Sequence, residues 1–374
     1  MRSRDPRPEV PCRGLTLALL VGCAPPPAAE GRSTPGVPRW PSAELGGDTG
    51  ARPEDDADGD GFLRWQAASD PALADCDDAD PAVTPAVRRL IPGGPFVHGA
   101  AGHEDEFFDA VPVATFEIHT ICMDVTEVTN TAFAAFLDER AALGLPNQDD
   151  AGRPLYDFTD ADDPYDDGVP QWIVEDNGQH SVIDGMGQHP VTEVFEWSGE
   201  AYCAARGGRL PTEAEWEKGA RGDQDARPYP WGEAPLDCSR GNIRPGADAV
   251  SFDELEEPCH DLTVEVGLFP DGASPYGLLD MAGNAGEWVF DWYDPDYYAV
   301  AEQVDPQGPD EGVDVAFPNG GTRAARITRG GAFPAEPAAF YVFQRYVEPG
   351  DGSSNGVGFR CAYDPEGALE ADAG

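Results

Sequence analysis

The sequence predicts a mixed fold of strands and helices, poor in regular secondary structure, behind a long non-globular N-terminal stretch. From Arg89 to about Tyr363 the chain consists of short apolar strand-like runs, tryptophans and glycine turns, with few helical periods and no internal repeat. Before that, residues 23–54 are rich in Pro, Gly, Ala and Ser without hydrophobic period, and residues 55–85 are dominated by aspartate. The 374 residues allow one large domain or two smaller ones.

Residues 1–22 read as a signal peptide: a charged start, then an apolar run from Leu15 to Val21. That run falls far short of the roughly 20 residues a membrane span needs. Leu20-Val21-Gly22-Cys23 resembles a bacterial lipobox, in which Cys23 is acylated and becomes the new N-terminus, and Ala24 fits sorting to the outer membrane. The expectation is an exported lipoprotein, membrane-anchored through Cys23 and facing the periplasm or the cell surface. A disordered linker would then hold the folded part off the membrane.

In the Asp-rich segment, Asp56, Asp58 and Asp60 with Gly61 match the first half of an EF-hand loop, where alternate side chains point at one hard cation. The second half fails, because its twelfth position is Ala67 instead of a bidentate glutamate. Asp75, Asp77, Asp78 and Asp80 around Cys76 are candidates to complete the shell. The segment resembles the short Asp-rich calcium repeats of secreted bacterial proteins.

Acids outnumber bases 70 to 24, for a formal charge of −46, which disfavours nucleic acid and favours multivalent cations as partners. Lys218 is the only lysine. Setting aside Cys12 and Cys23 leaves Cys76, Cys122, Cys203, Cys238, Cys259 and Cys361. In an oxidising compartment these read as three disulfides with 15 possible connectivities. No C-x-x-C pair is present, which argues against a zinc or thioredoxin-type site.

Within the globular part, FEIHTICMDVTEVT alternates as two strands. Thr129 caps a helix, TNTAFAAFLDER, whose Phe133, Phe136 and Leu137 share one face. Thr212 with Glu215 forms a capping box for EAEWEKGARG, which stops at Gly222. Between Asp138 and His189 the chain is Asp-rich with little periodicity and reads as a long surface excursion.

The motifs IPGGPFVHG, CMDVTEVTNTAFAAFL, HPVTEVFEWSGEAYCAARGGRLPTEAEWEKGARG, PYPWG, SPYGLLDMAGNAGEWVFDWY, ITRGGAF and GVGFRCA follow in that order. This series resembles the sulfatase-modifying factor family, the formylglycine-generating-enzyme domain, over residues 89–363, leaving an acidic tail at 364–374. The resemblance implies a single α+β domain, an unusual C-type-lectin-like fold. It implies a Cys203–Cys361 disulfide; Cys238 and Cys259, which flank one loop, would then pair, leaving Cys76 for Cys122. It also implies structural calcium held by the Asp280 side chain, the Gly283 and Ala285 carbonyls and the Glu287 side chain. A second site would begin at Asn242 and Ile243, with Asp261 as a candidate ligand. Trp197, Trp216, Trp231, Trp288 and Trp292 lie inside these motifs and are expected in the core.

In the catalytic branch of the family, two cysteines five residues apart bind copper and oxidise a substrate cysteine to formylglycine, chemistry that soft thiolates suit. Counting from Gly330-Gly331, those positions are Ala335 and Phe340, and no cysteine occurs between Cys259 and Cys361. The usual serine after the glycines is Ala332. Copper is therefore not expected, and the catalytic site reads as degenerate. Glu336 and Arg345 are the nearby charged residues, with an exposed loop carboxylate as the bland reading of Glu336. The six histidines show no HxxxH or HxH pair. The resulting expectation is a calcium-stabilised pseudoenzyme that holds a peptide or protein partner in the former substrate groove. The rival reading is an oxidoreductase or maturation factor related to formylglycine generation that uses a non-cysteine site.

Overall fold

The protein is described by a computed structural model covering residues 63–64, 74–77, 82, 84, 86–156, 158, 171–223, 227–245, 257–317 and 321–365. All of them belong to one compact unit, Gly50–Gly374; a second unit, Met1–Thr49, lies outside the described residues. The expectations for the signal peptide, Cys23, the linker, Asp56, Asp58, Asp60, Asp78, Asp80 and the tail beyond Pro365 also lie outside them, as does the Asp75 side chain.

The two ends of the domain meet in a small sheet. Strand β3 (Arg88–Ile91) pairs with β6 (Ile121–Asp124), whose other edge is taken by β14 (Ala362–Tyr363). Ahead of it, β1 (Leu63–Arg64) and β2 (Ala74–Asp75) pair in parallel, and Cys76 is disulfide-bonded to Cys122 of β6. Strands β4 (Gly94–His98) and β5 (Ala114–Ile118) form a hairpin. Helix α1 (Asn130–Ala142) starts where Thr129 Oγ1 accepts from the Ala132 amide, and it buries Phe133, Phe136 and Leu137.

Residues 138–189 are not featureless. Strands β7 (Ile173–Asp176) and β8 (Gln179–Val182) make a two-residue hairpin in which Asn177 and Gly178 both have positive φ, 54° and 78°. That is the turn whose twist matches antiparallel strands. His180 docks the hairpin on α1, its amide donating to Asp138 Oδ1 at 2.8 Å.

Helices α2 (Glu196–Ala205) and α3 (Glu213–Arg221) precede the central sheet. In that sheet the order is β10 (Asp314–Ala316), β11 (Thr322–Arg329), β9 (Gly286–Trp292) and β13 (Val357–Gly358), with β12 (Tyr346–Pro349) also on β11. The Cys203–Cys361 disulfide ties α2 to the chain just before β14, and Cys238–Cys259 joins positions 21 apart in the sequence. Trp216 and Trp288 are fully buried and Trp197 nearly so, while Trp231 and Trp292 are partly covered. Among the described residues no helix is long and apolar enough to cross a membrane.

Every residue of α3 is buried, although five of its nine are charged. Thr212 and Glu215 form the capping box, and Gly222 ends the helix at φ 83°. Arg329 of β11 reaches Glu213 at 3.0 Å and Glu217 at 2.6 Å, and Arg345 grips Glu213 at 2.8 Å through Nε. Arg221 donates to Glu217 at 2.8 Å. Lys218 Nζ donates to the Gly94 carbonyl at 2.7 Å. Burial opposes ionisation of Glu217, yet its charged neighbours hold the carboxyl down to about 2. His98 is the first of those neighbours, but burial pushes its own pKa down to about 4. At neutral pH Arg221 and Arg329 therefore carry the effect.

Removing one partner of a buried pair strands the other charge. Arg329→Ala should lower the unfolding free energy by roughly 3–5 kcal/mol in denaturant titration; a loss under 1 kcal/mol would show the network to be inessential. A second test is alkaline. His119 lies 2.8 Å from Asp305 and 3.3 Å from Asp364, and the hydrogen bond with Asp364, then that with Asp305, raises its pKa to about 9 despite partial burial. A raised histidine stabilises fully below the ordinary value of about 6.5 and ceases to as pH rises through about 9. The thermal midpoint of the protein should therefore fall across that window more steeply than that of His119→Gln.

Candidate binding groove and metal-binding turn

Strand β11 ends in Gly330-Gly331, both left-handed, at φ 85° and 73°. A Cβ on Gly331 would come within 2.9 Å of Ala339, so the turn demands glycine twice over. Beyond it Ala335 donates back to the Ala332 carbonyl at 2.9 Å, and Pro337–Phe340 form one 3₁₀ turn. The stretch is thus a turn and a helical turn, not a strand. Two backbone bonds fasten it to the turn preceding β9: Gly283 N–H to the Gly330 carbonyl at 3.0 Å, and Phe333 N–H to the Asn284 carbonyl at 3.1 Å.

Of the two positions read as degenerate, both border one small core, Ala335 packing against it and Phe340 lying within it. Ala335 lines a cavity of about 260 Å³. Phe340 is fully buried, in a small core with Tyr229, Leu236, Ile243 and Ala282. Glu336 is exposed and accepts from the Tyr346 hydroxyl at 2.6 Å. Arg345 turns away to Glu213 and belongs to the buried network instead of the groove.

The cavity walls include Trp172, just ahead of the β7–β8 hairpin, together with Phe333, Pro334 and Val357. Its polar lining includes Thr328, Tyr346 and Glu348. Burial alone pushes the Glu348 carboxyl up to about 7. Glu348 also borders a wider groove of about 1270 Å³ that runs past Trp197, Trp292 and Arg153. Neither Trp172 nor Glu348 stood out in the sequence, because they flank the family motifs without belonging to one.

At the turn before β9, Asp280 and Asn284 have positive φ, 57° and 63°. Glu287 is buried and held by Arg360 at 2.6 and 2.7 Å, with a further bond from the Trp216 indole at 2.8 Å. Asp280 accepts from the Gly267 amide at 2.6 Å through one oxygen, while its other oxygen, Oδ1, is buried without a hydrogen-bond partner. Glu127 Oε2 and Asn242 Oδ1 are orphaned in the same way. Burial, then the charges of Asp280 and Glu287, push Glu127 well above the usual range despite Arg360, and burial takes Asp280 up to about 6. Three acids therefore share one arginine, and the donor set of unsatisfied hard oxygens fits a cation such as calcium. Glu127 is the addition that motif spacing had not marked.

Among the described residues no three His, Cys, Asp or Glu side chains gather to hold a metal by themselves, so a site here would draw on carbonyls, as at Gly283 and Ala285. Around Asn242, the Ile243 carbonyl accepts from the Cys259 amide at 2.9 Å and Asp261 is exposed. Of the aspartates around Cys76, Asp77 is partly buried.

Residues 78–365 match the family described as the sulfatase-modifying factor enzyme 1-like domain. The chain is 33% identical over 321 residues to the formylglycine-generating enzyme of Streptomyces coelicolor, covering 80% of this chain and 97% of that protein. It is 29% identical over 287 residues to a mouse protein named inactive C-alpha-formylglycine-generating enzyme 2, covering 73% and 84%. The structure of PvdO from Pseudomonas aeruginosa shares the fold with a TM-score of 0.50 at 19% identity, over 74% of this chain and 93% of that one. The chain therefore belongs to the sulfatase-modifying factor enzyme 1-like domain family, as a single α+β domain of C-type-lectin-like kind.

Proposed function

We propose that the chain is an exported, lipid-anchored protein whose family domain serves as a non-catalytic binding module, holding a peptide or protein partner in the groove beside Ala335. One observation carries this reading. Of the two positions where the catalytic branch bears cysteines, one is an alanine on the cavity wall and the other, Phe340, is packed into the core. A carbon side chain neither ligates copper nor forms a mixed disulfide. A relative in mouse, 29% identical over 287 residues, carries a name that calls it inactive, which agrees with this reading.

Calcium is assigned a structural role at Asp280, Gly283 and Ala285, with Glu127 facing the same place; Glu287, expected as a further ligand, has both oxygens held by Arg360 and Trp216. The support is the unpartnered oxygens of Asp280 and Glu127. When bound, the ion neutralises buried carboxylate charge and ties the turn before β9.

Incubation of the protein with a cysteine-containing sulfatase peptide, copper and oxygen should leave the peptide unchanged by mass spectrometry; any formylglycine product sinks the non-catalytic reading. Elemental analysis of the folded protein should find calcium, not copper or iron. EGTA should lower its stability, by about 3 kcal/mol relative to calcium at a hundred times Kd. Asp280→Ala should be insensitive to EGTA, and equal sensitivity in both proteins would place the ion elsewhere.

A further inference from the structure

Of the three disulfides, Cys238–Cys259 is the one that solvent reaches most freely. Among the described residues Cys238 is the only bridged cysteine that is exposed, whereas Cys122, Cys203 and Cys361 are fully buried. Cys238 stands at the corner of a turn closed by the Arg240 amide on the Asp237 carbonyl at 2.9 Å. Asp237 Oδ1 accepts from the Ser239 amide at 2.8 Å and fixes the same corner. Cys259 instead packs against the small core that includes Leu236, Ile243 and Phe340. The charges next to the bridge in the chain are mixed, Asp237 and Glu257 against Arg240 and Arg244. Access therefore sets this bridge apart, and exposed disulfides are the labile ones.

The bridge also closes a clamp. One arm runs on from Cys238 to Asn242, the other from Cys259 to Val264, and the Cys259 amide joins them by donating to the Ile243 carbonyl at 2.9 Å. Between the arms lies Asn284, in the turn before β9. Its amide donates to the Asn242 carbonyl at 2.8 Å, and its side-chain oxygen accepts from the Val264 amide at 2.8 Å. Asn242 Nδ2 spans the clamp to the Leu262 carbonyl at 2.9 Å.

We propose that Cys238–Cys259 is a thiol–disulfide exchange site, opened by an outside thiol that attacks Cys238, and that opening loosens the grip on Asn284. The incoming thiolate forms a new S–S bond with Cys238 as the Cys238–Cys259 bond breaks. Cys259 leaves as a thiolate and takes a proton from solvent. A second thiol then frees Cys238, so the two electrons come from the outside thiols, which depart as their own disulfide. Nothing in this assignment rests on the groove-binding reading.

The test treats the full chain, in calcium buffer, with reduced glutathione, then traps thiols with N-ethylmaleimide for peptide mapping. Cys238–Cys259 should open about tenfold faster than either other bridge, with glutathione recovered on Cys238 and maleimide on Cys259. Hydrogen exchange at the Asn284 amide should then rise about tenfold and fall again on reoxidation. The double variant Cys238→Ser, Cys259→Ser should show the raised exchange permanently and ignore glutathione. Reduced thioredoxin separates the sources, each rate being taken relative to the same reductant on cystine. A higher relative rate with thioredoxin assigns a protein thiol as the partner, and a higher one with glutathione assigns a small free thiol. If the three bridges open together, or another opens first, the exchange site is overturned. Selective opening with unchanged exchange at Asn284 overturns the role of the bridge in the clamp. Formylglycine production would remove the non-catalytic reading and leave this assignment standing.

Discussion

A helix that carries its charges inward is the constraint on which the rest of this domain depends. Helix α3 has glutamates at 213 and 217 facing arginines from two later segments, Arg329 of β11 and Arg345 ahead of β12. Charges taken out of water are tolerated only with close, hydrogen-bonded partners. The helix therefore fixes where β11 and the segment before β12 must pass, and they pass on either side of the Gly330-Gly331 turn. In a fold with short strands, these directional pairs supply the register that long hydrogen-bonded ladders give elsewhere.

From that frame follows the separation between scaffold and chemistry. The Gly330-Gly331 turn is bonded to the turn before β9, which in turn carries Glu287 into Arg360 and Trp216. None of these fastenings uses the side chain at 335 or 340. The scaffold therefore does not depend on which side chains stand at 335 and 340, and Phe340 packs in a core with Tyr229, Ile243 and Ala282. Such a site is free to change its occupant without refolding, which is why family membership alone does not name a function here.

What could be read from the sequence was local or motif-bound. The Thr129 cap, the Thr212–Glu215 box and the Gly222 stop depend on neighbours three or four residues away, and all three form. The β7–β8 hairpin was missed although its Asn177-Gly178 turn signal was present; β7 buries only Ile173, so no alternation of apolar and polar residues marks it. Arg345 was placed beside Glu336 by sequence proximity, but its fork geometry matches Glu213, 132 residues away. Glu127 and Glu348 were invisible for the same reason. What marks each is burial that pushes its carboxyl up, and such burial exists only once the chain is folded.

The formal charge of −46 gives these two carboxylates a common context. A strongly negative surface raises the local concentration of every cation, metal or organic, without choosing among them. At physiological salt that field fades within about 8 Å of each charge, so selection has to be local. At Asp280 and Glu127 the unsatisfied groups are several hard oxygens around a tight turn, and the matching cation is small and divalent. At Glu348 there is one carboxylate among aromatic and aliphatic walls, and burial pushes it up to about 7, so a proton is enough to neutralise it. One field thus meets two buried environments, and local geometry decides how each responds to it.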